Sequence, residues 1–193
     1  GDVIAGGDFT MAGGAAASHV ARWDGTAWHA PGTGTDGPIH ALATLGNGDV
    51  IAGGDFTLAG GVAAAGLARW NGTTWAPLGS GVDGVVRSLL VLGNGDLIAG
   101  GSFTVAGGTS ALHVARWNGT VWSAVGAPPF TGGVGVGALA RMPDGDLVAA
   151  DSNFGVWVPG QPSARLQRWD GTAWTSLGVP KGRVNALRVN PIG

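Results

Sequence analysis

The 193-residue chain contains no cysteine, no tyrosine and no glutamate, and Lys181 is its only lysine. Without cysteine there are no disulfides, no thiolate zinc sites and no thiol nucleophile. Glu and Lys are good helix formers, and avoiding both while using 39 glycines points to strands and turns. Charged residues reach only 11%, less than half the usual ~25%, which excludes large basic or acidic faces. A net charge of -2 with no run of Lys or Arg argues against nucleic acid as a partner. No apolar segment of about 18 residues free of Gly and charge occurs, so no membrane span is expected. Positive mean hydropathy and nine Trp that need burial exclude disorder through charge repulsion. The chain opens on Gly1 with no signal-like segment, as expected of a processed product or a piece of something longer.

What is present is a repeat. Gly1-Asp2-Val3-Ile4-Ala5-Gly6-Gly7 returns 47 residues later at Gly48–Gly54, and again after 47 as Gly95-Asp96-Leu97-Ile98-Ala99-Gly100-Gly101. Gly145-Asp146-Leu147-Val148-Ala149-Ala150-Asp151 follows after 50. Four units, 1–47, 48–94, 95–144 and 145–193, account for the chain as a single repeat domain. Tryptophan keeps the same beat in Trp23/Trp28, Trp70/Trp75, Trp117/Trp122 and Trp169/Trp174. Only Trp157 stands outside it.

Punctuation divides each unit into four short strands. Val85 to Leu92 is an apolar run closed by Gly93-Asn94-Gly95-Asp96. Leu97 to Phe103 follows, then a small-residue loop from Thr104 to Ala111, then His113 to Trp117, Asn118-Gly119, and Thr120 to Val125. Asn-Gly or Asp-Gly between apolar runs is a strong hairpin signal. A two-residue loop at Asp24-Gly25 pairs Trp23 with Thr26, and a four-residue loop pairs the two Trp directly. Either puts both rings on one face. The expected fold is all-β: a propeller of four-stranded blades 47–50 residues apart, narrow inside with Ala, Gly and Val, wide outside with Trp.

The string Gly53-Gly54-Asp55-Phe56-Thr57, Ala59-Gly60-Gly61, Ala68-Arg69-Trp70-Asn71-Gly72-Thr73-Thr74-Trp75 resembles the kelch repeats of galactose-oxidase-like propellers. It is also similar to repeats of large extracellular bacterial proteins and of fungal cortical polarity markers. The resemblance covers three units well. In the fourth, Ala150-Asp151 replaces Gly-Gly and Trp157-Val158-Pro159-Gly160 replaces the Ala-Gly-Gly loop. It implies a propeller and an extracellular setting, and little about activity. Galactose-oxidase chemistry needs Tyr, His and a Tyr-Cys crosslink, and sialidase-like propellers need a Tyr nucleophile; this chain has no Tyr and no Cys.

Both chain ends fall in the same turn of the repeat. Val184 to Val189 reads as an innermost strand without a following partner, and Asp2 to Phe9 as a second strand without an innermost one. A self-closed ring, a head-to-tail homodimer and a larger array all satisfy this, and completion to more than four blades is favoured because kelch-like blades usually sit in bigger rings.

Candidate ligand-binding residues are those that differ among near-identical units on the long-loop face. One position reads His40, Arg87, Gly137 and Asn185, at the mouth of the channel. Neighbouring loops add Asp36 and Asp83, Lys181, Pro128-Pro129-Phe130, Asn153 and Trp157. Asp8 and Asp55 are expected to cap strand ends. Arg22, Arg69, Arg116 and Arg168 are expected to make an inter-blade ion pair or stacking contact, with Asp2, Asp49, Asp96 and Asp146 as candidate partners. Asn71-Gly-Thr73 and Asn118-Gly-Thr120 match the glycosylation sequon where a hairpin already calls for Asn-Gly. His19 and His113 lack the paired spacing of a metal site. No metal or cofactor is expected. The leading expectation is a non-catalytic interaction or structural module with a protein or glycan on the long-loop face. The second is a lectin in which Trp157 stacks on sugar while Asn153 or Asp83 bonds hydroxyls. The third is part of a carbohydrate-active enzyme, with Asp36 and Asp83 as a formal carboxylate pair.

Overall fold

The structure, a computed structural model, describes residues 1–126, 128, 130, 135–151, 166–178, 184 and 186–190. Every regular element among the described residues is a strand. The first repeat holds β1 (Val3–Gly6), β2 (Met11–Ala12), β3 (Ala15–Ala16), β4 (Val20–Trp23), β5 (Trp28–His29) and β6 (Ile39–Thr44). The second holds β7 (Val50–Gly54), β8 (Leu58–Ala59), β9 (Val62–Ala63), β10 (Leu67–Trp70), β11 (Trp75–Pro77) and β12 (Val86–Val91). In the third are β13 (Leu97–Gly101), β14 (Val105–Ala106), β15 (Thr109–Ser110), β16 (Val114–Trp117), β17 (Trp122–Ala124) and β18 (Val136–Arg141). The fourth contributes β19 (Leu147–Asp151), β20 (Leu166–Trp169) and β21 (Trp174–Gly178).

Each four-stranded sheet borrows its first strand from the preceding repeat, in the orders β6-β7-β10-β11, β12-β13-β16-β17 and β18-β19-β20-β21. All pairings are antiparallel. The hairpins use the four-residue loop, so Trp23 opposes Trp28 and Trp70 opposes Trp75, with ring centroids 5.6 and 5.3 Å apart. The small-residue loop is more ordered than its composition implies. It folds back as a miniature hairpin, β14 with β15, because Gly107 and Gly108 supply the two positive φ angles that a tight turn of this twist requires.

Sheets stack face to face, and the alternation of side chains sorts the core accordingly. Val50 and Ala52 pack back toward Val20 of the first sheet, whereas Ile51 packs forward with Leu97, Ala99 and Phe103 of the third. Ile98 in turn faces forward to Val136 and Leu139. Burial on both faces is why these strands read as apolar runs. The first glycine of each Gly-Gly leaves room for the neighbouring sheet. A Cβ on Gly53 would stand 2.6 Å from Val86 Cγ1, and one on Gly100 would stand 2.7 Å from Val136 Cγ1.

Among the described residues the first sheet has three strands, β1-β4-β5, as expected of a second strand without an innermost one before it. Two other expectations change. The described part of the segment 184–190 is not a strand and makes no ladder with β1; its Ala186 and Leu187 instead line the axial space beside β6, β12 and β18. Accordingly β1 is partly exposed where β7, β13 and β19 are fully buried. The Arg–Asp partners are as expected, but each pair closes within one sheet and does not bridge two. Arg22 Nε lies 3.3 Å from Asp2, Arg69 Nε 3.1 Å from Asp49, and Arg116 Nε donates to Asp96 over 2.7 Å. Strand pairing places each Arg one residue from the ladder rung beside its own Asp, so the intra-sheet partner is the nearer one.

Candidate functional site

The site is positioned by the crossovers that lead from the outer hairpin of one sheet to the inner strand of the next. Each is held from both sides. In the first, the Thr35 amide donates to Ser18 O (3.1 Å) and the Gly60 amide donates to Gly34 O (2.7 Å). In the second, the Val82 amide donates to Ala65 O (3.0 Å) and the Gly107 amide to Gly81 O (2.9 Å). The outer Trp of each pair adds a staple. Trp75 Nε1 donates to Pro31 O (2.8 Å), Trp122 Nε1 to Leu78 O (3.1 Å) and Trp174 Nε1 to Val125 O (2.8 Å). Sequence reasoning gave these tryptophans only their bulk. The recurring spacing was a usable signal, since a buried indole N–H needs an acceptor.

Asp36 and Asp83 are part of the same fastening. Asp36 accepts from the Thr57 amide (2.8 Å), the Thr57 hydroxyl (2.6 Å) and the Leu58 amide (2.7 Å). Asp83 accepts from Thr104 N and Oγ1 and from Val105 N at 2.7, 2.6 and 2.7 Å. Desolvation pushes both carboxyls up, but the three hydrogen bonds outweigh it and hold each below the usual carboxylate range. Both oxygens of each carboxylate are thus spoken for by the miniature hairpin of the next sheet.

His40 and Arg87 open the inner strands β6 and β12. Desolvation first, then the Arg87 charge, lowers the His40 pKa, against the opposing pull of Asp55 and Asp8. β6 and β12 lie side by side, so the two residues sit at equivalent positions on neighbouring inner strands. Arg87, Ser88, Gly137, Ala138, Ala41 and Leu187 border an axial cavity of about 200 Å³. Asn185, Asn153, Trp157, Lys181 and Pro129 lie outside the described residues. Phe130 is not a loop-tip residue: it is buried with Val125 and Val136 in the core, because an aromatic ring there has a sheet to cover it. His19 and His113 recur for a backbone reason. Both hold positive φ (62 and 67°), as Gly66 does at the equivalent position (69°), and their amides close the loop onto Phe9 O and Phe103 O. His19 Nδ1 also lies 3.7 Å from Asp8. No group of three or more metal-ligating side chains forms among the described residues. Among the described residues no helix is long and apolar enough to cross a membrane.

Comparison with known families matches residues 43–189 to the Rax2 C-terminal beta propeller domain. The chain belongs to that family. The Rax2-type propeller is also similar in fold to the extracellular domain of BT4673 from B. thetaiotaomicron, with a TM-score of 0.58 and 10% identity over 89% of this chain and 22% of that one. A second solved structure, YCF48 bound to D1 peptide, aligns with a TM-score of 0.47 and 19% identity over 81% of this chain and 46% of that one. The Rax2-type chain thus spans less than half the length of either structure. A search of curated sequences finds no match.

Acid sensitivity follows from the crossover clamps. Asp36 and Asp83 have folded-state pKa values depressed below the ordinary 3.8, so their stabilisation is fully present above that value and is lost as pH falls through the folded one. His40, also depressed from 6.5, acts in the same direction at higher pH. Thermal melts are therefore expected to fall modestly below about pH 6 and more steeply below about pH 4. Asp83→Asn keeps an acceptor oxygen, as Asn71 does for Thr73 and Thr74 in its own turn, and should flatten the acid limb. An unchanged acid limb in that variant would remove the clamp explanation.

Proposed function

We propose that this Rax2-type propeller is a non-catalytic, extracellular interaction module that holds a partner protein at the mouth of its axis. The observation that carries the reading is that His40 and Arg87 hold equivalent positions on the neighbouring inner strands β6 and β12, with Arg87 on the lining of the axial cavity. These positions vary between otherwise similar repeats, while the surrounding crossovers are tied down from two sides; variable groups on a rigid frame suit recognition. The commitment of Asp36 and Asp83 to hydrogen bonds within the frame favours binding over carboxylate catalysis. The kelch-like kinship and the extracellular setting belong to the same reading and rest on the resemblance of the repeats.

A photocrosslinking amino acid at position 40, compared with one at Thr74 on the opposite face, tests this. Exposed to native secreted and surface protein, position 40 should give adducts of discrete mass and position 74 none. Arg87→Ala should weaken capture by about tenfold, or 1.4 kcal/mol. Equal labelling from both faces, or none from position 40, sinks the proposal.

A further inference from the structure

The chain contains four Asn-Gly pairs, and the structure divides them into two kinds. At Asn47 and Asn94 the side-chain nitrogen donates to the carboxylate two residues on, Asp49 over 2.8 Å and Asp96 over 2.7 Å. At Asn71 and Asn118 the working atom is the oxygen. Asn71 Oδ1 accepts from the amides of Thr73 and Thr74 at 2.9 and 2.8 Å. Asn118 Oδ1 accepts from those of Thr120 and Val121 at 3.0 and 2.9 Å. Two N–H donors require an oxygen opposite them, so the orientation of each side-chain amide is fixed and its Nδ2 lies away from the turn.

The fold has no use for that nitrogen. In the first and fourth repeats the same turn is built on aspartate. Asp24 accepts from the Thr26 and Ala27 amides at 2.8 and 2.9 Å, and Asp170 from those of Thr172 and Ala173 at 2.8 Å each. The turn therefore accounts for an oxygen at this position and leaves the amide nitrogen unexplained. Asn71 and Asn118 present it from an exposed hairpin tip, each with an exposed threonine two residues on. The approach is open, since a Cβ added to Gly72 or Gly119 would meet nothing within 4 Å. Asn47 and Asn94 lack both features: their nitrogens are spent, and Asp49 and Asp96 stand where the hydroxyl would be.

We propose that Asn71 and Asn118 are N-glycosylation acceptors, so that the second and third sheets each carry one N-linked oligosaccharide on the face opposite the axis mouth. Asn-X-Thr with X other than proline is the acceptor pattern. The donor is a polyprenyl-diphosphate-linked oligosaccharide. The bond from its anomeric carbon to the diphosphate oxygen breaks as that carbon bonds to Nδ2. Nδ2 gives up one proton to a base of the transferase, and the lipid diphosphate departs. The product is still an amide, so Oδ1 keeps both turn hydrogen bonds and the hairpin is unchanged. Bulky, solvated sugar chains on one face leave the axis mouth as the open one. The inference rests on the extracellular setting proposed above, because an exported chain is the one that meets the transferase.

The test secretes the full chain from a eukaryotic host behind a cleavable signal and reads its intact mass before and after peptide-N-glycosidase treatment. Two oligosaccharides are expected, and peptide mapping should find the enzyme's aspartate product at positions 71 and 118. Asn71→Asp and Asn118→Asp should each remove one oligosaccharide and keep the turn, as Asp24 and Asp170 keep theirs. Thr73→Ala and Thr120→Ala should also remove one each with the asparagine still in place, an effect that asparagine chemistry independent of the acceptor pattern would not show. An unmodified mass for the secreted wild-type chain, or occupancy of one position alone, overturns the proposal. The fused signal exports the chain whatever its natural setting, so that result leaves the extracellular reading standing. Conversely, a chain that its own cells retain unmodified, while the secreted chain carries both oligosaccharides, upholds the two acceptors and overturns the extracellular setting.

Discussion

Replacing Gly81 with alanine is expected to lower the unfolding free energy by about 3 kcal/mol or more. Two costs coincide there. The residue holds φ +73°, which an L side chain adopts at a penalty of about 1–2 kcal/mol. An added Cβ would also stand 2.2 Å from Ala65 O, a backbone atom already fixed by the hydrogen bond it accepts from Val82 N, so the crossover must be displaced. Overpacking of this kind adds about 1–3 kcal/mol. Gly72→Ala separates the two. It has φ +93° and nothing within 4 Å of an added Cβ, so it should show the conformational penalty alone. Urea titrations followed by tryptophan emission measure both. Equal losses in the two variants would mean that the crossover is not pressed against the neighbouring sheet. The same crossover leads directly into β12 and Arg87, so Gly81→Ala should weaken partner capture at the axis mouth as well.

Phe103→Ala is expected to cost about 3–5 kcal/mol, the usual range for deleting a fully buried ring. Phe103 is wholly inaccessible and packs in the core between the second and third sheets. Phe9 occupies the same place in the first repeat but is only half-buried. Phe9→Ala should therefore cost clearly less, although the local sequence around the two is nearly the same. Comparable losses from both would show that the start of the chain is covered in solution as fully as the middle, by the segment near Leu187 or by a second copy.

That contrast marks the division between what could be read and what could not. The repeat length, the paired tryptophans and the Asn-Gly and Asp-Gly turns specified strands, hairpins and a propeller, because these features depend on local backbone geometry and on side-chain alternation. The inward position of Ala, Gly and Val and the outward position of Trp were legible for the same reason. The mouth of the axis was partly legible, since His40 and Arg87 occupy one position of the repeat and the fold brings equivalent positions together.

The assignments that needed distances were not legible. Asp36 and Asp83 looked like loop carboxylates available to a ligand, yet their partners lie about twenty residues ahead, in the miniature hairpin of the next sheet. The arginines looked like bridges between blades, and only the strand register shows that each reaches its own sheet's aspartate first. His19 and His113 lacked the spacing of a metal site, but that they serve a left-handed turn shows only in the backbone. By itself, then, the sequence determined the repeating unit and its period, which follow from residue type and spacing. Only the tertiary structure decided which polar groups are consumed in holding one sheet to the next and which remain for a ligand, because that depends on how closely neighbouring backbones approach.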